Sequence, residues 1–470
     1  MIKEQLKQKA QAIGGIPSGY ELEIEDYREN ELDSDTIFVW KDPHDEENGI
    51  WVTLDRDSQL IGLTKYTSSK STIEHLANER LQELALQFVF DHYPNAFEQF
   101  TLEKIKERQG GRLQFTYSQY ELELFLPLTG FFVEITKSGE IVCFRYDGVA
   151  EKIIHPDKII HKDEARSILL NELIMETTID VLSKEVYEEG DDLSHLMYEP
   201  CLRSHQLLAD GKTPEIEREE EISRQLIPLP KPTKTTTKDV DAFIGLDRSI
   251  FQQIREQEMG DTIGTVWRIA KDEPELSDRS FEGFFKQRND KTIKIITYKD
   301  SGRLKGVYSF LDRKGSLQLS MNECEEIAMQ FLYKLYPQAD QFFRMKADTE
   351  EDETNACFHL ELYHCGIHLR FGFTCITVNR TTGHIDNYLG PDIHPELIAG
   401  LPSEPAISKE QAKELFTSLF DVELQWRKEY TDDSEGYYQL VYIPMYPNLE
   451  GDLAFIEAED ARVIVKKDLF

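Results

Sequence analysis

The sequence lacks the marks of several large classes of protein. No hydrophobic run approaches the roughly 18 residues of a membrane-spanning helix, and residues 1–20 contain no apolar core of a secretory signal. The six cysteines show no C-x-x-C spacing, which in a chain of 470 residues suits reduced thiols. We therefore expect a cytoplasmic protein without a membrane span.

Positive charge is also scarce. The chain has 53 basic and 88 acidic side chains, which gives a formal net charge of −35. A charge of that size repels phosphate backbones and anionic lipid surfaces over a Debye length. We expect no nucleic-acid partner, and our candidate partner is another protein.

Sequence motifs of common catalytic sites are missing. We find no G-x-S-x-G, H-E-x-x-H, Walker loop or G-x-G-x-x-G. The acidic segments 42–48 and 348–353 lack the glycine and ligand periodicity of an EF-hand loop, and we interpret them as solvated loops. The sequence therefore predicts no catalytic residues and no cofactor, and it favours a protein that is not an enzyme.

The chain instead contains an internal duplication, which indicates its organisation. The segment "ALQFVFDHYPNA" at 85–96 matches "AMQFLYKLYPQA" at 328–339, an offset of 243 positions. Alignment at offsets of 243 to 247 also superposes "GYELEIEDY" on "GTVWRIAKD" and "VWK" (39–41) on "FFK" (284–286). Such uniform offsets predict few insertions and one shared fold for the two halves.

A proline- and threonine-rich stretch separates the halves. "LIPLPKPTKTTTKD" at 226–239 contains three prolines, which disfavour regular hydrogen bonding and favour an extended spacer. We therefore divide the chain into a first half, 1–228, a linker, 229–240, and a second half, 241–470.

Each half contains a shorter repeat. Turn signals such as "LDRDSQLIGL" and "ITKSGEIVCF" recur along the chain between β-branched and aromatic residues. Helix patterns with a 3.6-residue period precede them, for example at 71–93 and 320–336. The unit is thus a helix followed by an antiparallel meander, three units to a half. We predict an α+β fold in which each helix covers the apolar face of its sheet.

These segments resemble the YcdB/YcdC repeat proteins of bacilli, whose units look like PepSY domains. The resemblance rests on "YP-x-A" at Tyr93–Ala96 and Tyr336–Ala339, and on "FHLELYHCGI", "VNRTTGHI", "ISKEQA" and "LVYIP". It implies a bacterial protein of tandem PepSY-like repeats and no particular activity. PepSY-like modules are associated with binding or restraining other proteins, often outside the membrane.

The stretch "CFHLELYHCGIHLRFGF" at 357–373 predicts a hairpin that turns at Cys365-Gly366. Continuous pairing would place Glu361 opposite Arg370 and Phe358 opposite Phe373, with the apolar residues on one face. The other face is our candidate partner-binding surface, and it carries His359, Glu361, Tyr363, His368 and Arg370.

The same register argues against a metal site. His364 and Cys365 lie at the turn, whereas His359 lies about 13 Å away at 3.3 Å per residue. A zinc site needs three or four donors around one ion, and only two-residue sets such as His359 with Cys357 lie close enough, so we expect no zinc site. Cys357 and Cys375 would project to opposite faces, so we expect no disulfide between them.

We conclude from the sequence that the protein is a non-catalytic protein-binding or regulatory scaffold. One alternative is a hydrolase-type enzyme whose site lies in a cleft between the halves. Another is a protein of the cell envelope, or an exported protein.

Overall fold

The computed structural model describes residues 3–27, 35–66, 75–171, 173–213, 226–269, 278–347, 350–393, 395–431 and 436–467. The acidic segment 348–353 lies partly outside this set. Within these residues, no helix is long and apolar enough to cross a membrane. The helices are α1 (Lys3–Gly14), α2 (Asn78–His92), α3 (Ala96–Gln99), α4 (Lys162–Leu170), α5 (Val240–Ile244), α6 (Phe281–Asn289), α7 (Met321–Leu335), α8 (Ala339–Phe342), α9 (Pro395–Ile398) and α10 (Lys409–Leu419).

The strands alternate with these helices in groups. Those of the first half are β1 (Glu21–Tyr27), β2 (Thr36–Asp42), β3 (Asp45–Leu54), β4 (Leu60–Tyr66), β5 (Thr101–Arg108), β6 (Arg112–Ser118), β7 (Tyr120–Glu121), β8 (Leu124–Phe125), β9 (Gly130–Ile135), β10 (Ile141–Gly148), β11 (Ile153–Ile154), β12 (Ile174–Val181), β13 (Ser194–Cys201) and β14 (Leu207–Leu208). The remaining strands are β15 (Leu226–Pro228), β16 (Phe251–Met259), β17 (Thr262–Ile269), β18 (Thr292–Tyr298), β19 (Leu304–Ser309), β20 (Phe343–Lys346), β21 (Glu350–Glu351), β22 (Asn355–His364), β23 (Ile367–Asn379), β24 (Ile385–Leu389), β25 (Asp421–Tyr430), β26 (Gly436–Met445), β27 (Leu453–Glu457) and β28 (Val463–Val465).

The two halves repeat one antiparallel sheet. In the first half the strand order is β1-β2-β3-β4-β10-β9-β6-β5, and in the second it is β16-β17-β18-β19-β24-β23-β22-β20. Helices α2 and α7 pack on these sheets through apolar residues four positions apart, such as Leu81, Ala85 and Val89 in α2. The prediction of two repeated halves that mix helix with antiparallel sheet is confirmed.

The sequence alignment of the halves is wrong near their starts. "VWK" lies in strand β2, whereas "FFK" lies in helix α6. By strand order, β1 and β2 correspond to β16 and β17, so α6 is an extra helix between β17 and β18. The true offset before this insertion is therefore shorter than the offset of 243 after it.

The third units of the two halves exchange parts. Strands β12 and β13 form a hairpin, but the next strand beside β13 is β27 from the second half. Reciprocally, β25 and β26 form a hairpin whose neighbour is β14 from the first half. The covering helices are exchanged as well, because α10 packs on β12 and β13 while α4 packs on β25. The third unit of the first half consequently shares the hydrophobic core of the second half.

Matching hydrogen bonds hold this exchange. The Tyr198 hydroxyl donates to the Ile407 carbonyl at 2.8 Å, and the Tyr442 hydroxyl donates to the Ile160 carbonyl at 2.6 Å. The two tyrosines occupy the same place in the L-x-Y-x-P motif of their halves. Each therefore joins its own strand to the segment that precedes the other half's helix.

The linker lies against the second half. Strand β15 pairs with β20, and Leu229 is buried. Further on, the Glu326 carboxylate in α7 accepts hydrogen bonds from the backbone amides of Thr233 and Lys234, at 2.8 and 3.0 Å. These contacts fix the path of the linker, while the boundaries at 228 and 240 stay a prediction.

Candidate functional site

The hairpin of β22 and β23 turns where the sequence predicts. Cys365 and Gly366 both have positive φ, and Tyr363 faces His368 while Leu362 faces Leu369. Beyond Leu362 the register shifts, since Leu360 pairs with Thr374. The predicted continuous pairing is therefore wrong past the first three pairs.

A bulge in β23 causes the shift. Residues 370–373 lie opposite Glu361 alone, so three extra residues enter one strand. At the centre of this bulge is Gly372, where a Cβ atom would lie 2.5 Å from the Leu362 Cβ. Because three is an odd number, the side chains of β23 after the bulge switch faces relative to the prediction. Phe373, predicted to be inward, is 41% exposed.

The five residues of the predicted partner-binding face separate into groups. Glu361, Tyr363 and His368 stay together: the Glu361 carboxylate accepts from the Tyr363 hydroxyl and lies 3.5 Å from His368 Nε2. Burial raises the pKa of Tyr363 to about 12 and lowers the pKa of His368. The predicted pairing of Arg370 with Glu361 is wrong. Arg370 instead forms ion pairs with Asp180 and Glu199 of the neighbouring hairpin, β12 and β13. The role of this face in binding stays a prediction.

His359 belongs to a different group, which the bulge assembles. Cys357 Sγ lies 3.2 Å from Cys375 Sγ and 3.4 Å from His359 Nε2. The expectation that the two cysteines project to opposite faces is therefore wrong. The Thr377 hydroxyl donates to Cys357 Sγ at 3.6 Å. We call Cys357, His359 and Cys375 the thiol–imidazole cluster.

The surroundings of the cluster favour a thiolate. The hydrogen bond from the Cys375 thiol, with smaller contributions from His359 and Thr377, outweighs partial burial and lowers the pKa of Cys357 to about 4. Two thiols this close titrate as a pair. None of the six cysteines forms a disulfide. The cluster thus offers sulfur and nitrogen donors of the kind that bind metal ions or react with electrophiles.

A cleft of about 430 Å³, which we call the second cleft, lies beside Thr377, the residue that donates to Cys357. Thr377 lines it, together with Asn387 and Ser309. The Asn387 Oδ1 and Ser309 Oγ atoms are buried without a hydrogen-bond partner among the described residues. Buried polar atoms of this kind are normally satisfied by a ligand or by water.

The first half has a cleft of about 600 Å³ at the equivalent position, which we call the first cleft. The equivalence follows from pairing: Cys143 faces Thr64 in the first cleft as Asn387 faces Tyr308 in the second. The lining residues differ. The first cleft has four basic side chains against two acidic ones: Lys65, Lys106, Arg108 and Arg112, with Glu107 and Glu134.

Comparison with known proteins identifies the family of the chain. The model of the YcdB, YcdC repeated domain matches residues 3–148 and 238–392, which is more than half of the chain. The chain belongs to the YcdB/YcdC family. The resemblance inferred from sequence is thereby confirmed. The matched segments end near β10 and β24, which are the last strands, in chain order, of the sheet arrangement that the halves share, so the exchanged third units of this YcdB/YcdC protein lie outside them.

Two relatives match over nearly the whole chain. YcdB of Bacillus subtilis (strain 168) is 40% identical over 454 residues, covering 95% of each chain. YcdC of the same strain is 38% identical over 453 residues, covering 95% of this chain and 97% of that one. Among solved structures, the Bacillus megaterium YpeB C-terminal domain covers 43% of this chain and 89% of its own, at 10% identity. Its TM-score of 0.27 is too low to support any inference.

Proposed function

We propose that the protein is a non-catalytic scaffold of PepSY-like repeats that binds an extended segment of another protein, in the cytoplasm. The binding site in this proposal is the edge strand β5. Within the described residues β5 ends the first sheet, whereas its counterpart β20 carries the added strand β15. Edge strands present N–H and C=O groups that accept a further strand. The pairing of β15 with β20 is therefore an internal example of the geometry we propose at β5.

The other edge of the first sheet is less available. At β1, the Glu25 amide donates to the Arg279 carbonyl at 2.9 Å, and the Phe281 amide donates to the Asp26 carboxylate at 3.1 Å. Both contacts come from the second half. This difference between β1 and β5 favours β5 as the docking edge.

Charge and exposure support an acidic partner segment. Lys106 and Arg108 belong to β5 and line the basic first cleft, in a chain whose net charge is −35. Ile105 of the same strand is 52% exposed and offers an apolar contact. Complementary charge raises the association rate and selects the partner.

Site-specific photo-crosslinking in the source cell tests this proposal. A photoreactive residue at Ile105 is expected to capture a protein through an acidic segment, as identified by mass spectrometry of the linked peptides. The control is Ile254, which is 47% exposed on edge strand β16. Equal capture at the two positions, or none at Ile105, would contradict the proposal.

A purified peptide of the captured segment then provides an affinity measurement. The double variant Lys106→Glu, Arg108→Glu should weaken binding by about tenfold or more, equivalent to about 1.4 kcal/mol. Lys299→Glu, a charge reversal in the second half where Lys299 pairs with Glu258, is the control and should bind normally. Unchanged affinity in the β5 double variant would exclude that strand as the docking edge.

A further inference from the structure

We propose that Cys357, His359 and Cys375 form a binding site for zinc or another thiophilic divalent cation. The sulfur and nitrogen donor atoms of the three side chains lie within 4.8 Å of one another. Thiolate and imidazole are the ligands that zinc prefers in proteins. The site is independent of the proposed docking edge, because it lies in the second half and needs no partner protein.

The distances between the donors suit one ion. At a zinc–sulfur distance of about 2.3 Å, two sulfurs around a tetrahedral ion lie about 3.8 Å apart. The Cys357 and Cys375 Sγ atoms are 3.2 Å apart, and Cys357 Sγ lies 3.4 Å from His359 Nε2. Small side-chain rotations therefore reach the geometry of a bound ion.

A direct disulfide fits the same residues less well. Cys357 faces Thr377 and Cys375 faces His359, so the two cysteines are diagonal neighbours across the strands. The Cα atoms of diagonal neighbours lie about 7–8 Å apart, whereas disulfides join Cα atoms about 4.4–6.8 Å apart. A bridging ion spans this gap without backbone movement.

The supporting backbone holds the ligands in place. The part of β23 that contains Cys375 pairs with β22 on one side and with β24 on the other. Thr377 donates to Cys357 Sγ and also lines the second cleft. Three protein ligands leave the fourth position of a tetrahedral ion to water or to another small ligand.

The first half provides an internal comparison. By strand pairing, the positions of Cys357, His359 and Cys375 correspond to Gln114, Thr116 and Phe132. This set contains neither a thiol nor an imidazole. The proposal therefore predicts one high-affinity ion per chain.

Titration of the reduced, chelator-treated full chain with Co²⁺ tests the site. One equivalent should produce the visible bands of tetrahedral cobalt and a thiolate-to-cobalt charge-transfer band, and Zn²⁺ should displace both. Cys357→Ser and Cys375→Ser should each lose the charge-transfer intensity. Cys365→Ser, at the exposed hairpin turn, is the matched control and should retain it.

Thiol alkylation of the wild-type protein gives a second measurement that needs no variant. Zn²⁺ should protect Cys357 and Cys375 from iodoacetamide while Cys365 reacts at an unchanged rate, as read by peptide mass spectrometry. Three results would overturn the proposal: no cobalt band in the reduced wild type, cobalt binding by both cysteine variants as tight and as intense as that of the wild type, or protection that arises only from a Cys357–Cys375 disulfide.

Discussion

Single residues decide which side chains point to each face of the hairpin of β22 and β23. The sequence predicts the turn at Cys365-Gly366, and this part is confirmed, since both residues have the positive φ of a tight hairpin turn. It does not predict the bulge, which depends on contact between Gly372 and Leu362. A glycine inside a strand pattern is nevertheless a known sign of a bulge. That sign, weighed at Gly372, could have revealed the thiol–imidazole cluster.

Gly372→Ala should destabilise the protein by about 1–3 kcal/mol, the usual cost of overpacking. The new methyl group would meet Leu362 at 2.5 Å, and relief of that contact moves the bulge. Urea unfolding measures the loss, and cobalt binding should weaken in parallel. Gly400→Ala, whose nearest contact is at 3.6 Å, is the control and should change little. Wild-type stability of the Gly372 variant would show that the bulge does not require glycine.

The hairpin of β7 and β8 in the first half should become more stable if the residues of its turn are replaced by ones that favour positive φ. Leu122 and Glu123 have φ of 50° and 61°. Residues other than Gly and Asn adopt this left-handed backbone conformation only at a cost in conformational energy. Replacing the pair by Asn-Gly should stabilise the protein by about 1–2 kcal/mol, measured by urea unfolding. Cys365→Asn in the hairpin of β22 and β23 should give a smaller gain in stability, because Gly366 already occupies the other turn position. A loss of stability in the Asn-Gly variant would contradict this account.

Elements with local causes were predictable, and elements that depend on distant pairing were not. Ser320 is the N-cap of helix α7 and forms a capping box with Glu323, and the buried residues of the helix recur at helical spacing. The exchange of β14 and β27 has no local signal, because a two-residue strand such as β14 is defined only by its partner β26. The L-x-Y-x-P repeat contains the two tyrosines whose hydroxyl groups form hydrogen bonds between the exchanged units.

Removing the hydroxyl group of either Tyr198 or Tyr442 should destabilise the exchanged units. Tyr198→Phe and Tyr442→Phe each leave a carbonyl without its donor, at a cost of about 1–2 kcal/mol. The two bonds lie in different sheets, so the effects should add. Urea unfolding of the single and double variants measures this, with the 61% exposed Tyr430→Phe as control. Losses no larger than those of the control would mean that the hydroxyls do not stabilise the exchange.

The docking of the linker should weaken in acid. Partial burial of Glu326 opposes its ionisation, but hydrogen bonds from the Thr233 amide, the Gln330 side chain of the same helix and the Lys234 amide prevail and lower its pKa to about 2. Because the folded pKa lies below the ordinary value of 4.5, this stabilisation is complete above about pH 4.5 and is lost as the pH falls towards 2. The difference in thermal stability between the wild type and Glu326→Gln should therefore shrink over that range.

Glu83 is the matched control for this measurement. It occupies the same position in helix α2 and pairs with Arg80 on the exposed surface. Glu83→Gln should change stability little at any pH, since exposed ion pairs contribute little. A pH-independent effect of Glu326→Gln would show that its carboxylate charge does not hold the linker.

At the scale of the whole molecule, the exchange makes the two halves interdependent. The first eight-stranded sheet has a core of its own, whereas α4, β12 and β13 pack into the core of the second half. The Arg166 guanidinium donates to the Phe420 carbonyl, and the Lys413 ammonium donates to the Leu173 carbonyl. Sequence repeats predict two similar halves, yet they cannot reveal which half a strand joins, since both hairpins offer equivalent edges.

Cutting the linker should consequently leave the halves bound to each other. A protease site inserted between Thr235 and Thr236, both within the linker, would sever the chain without touching the exchanged strands. The cleaved protein should run at the size of the intact chain on gel filtration and by native mass spectrometry, because separation would expose the shared core around β12 and β27. The uncut protein with the same insertion is the control. Two halves that separate as stable, folded monomers would show that the exchange contributes little to their association.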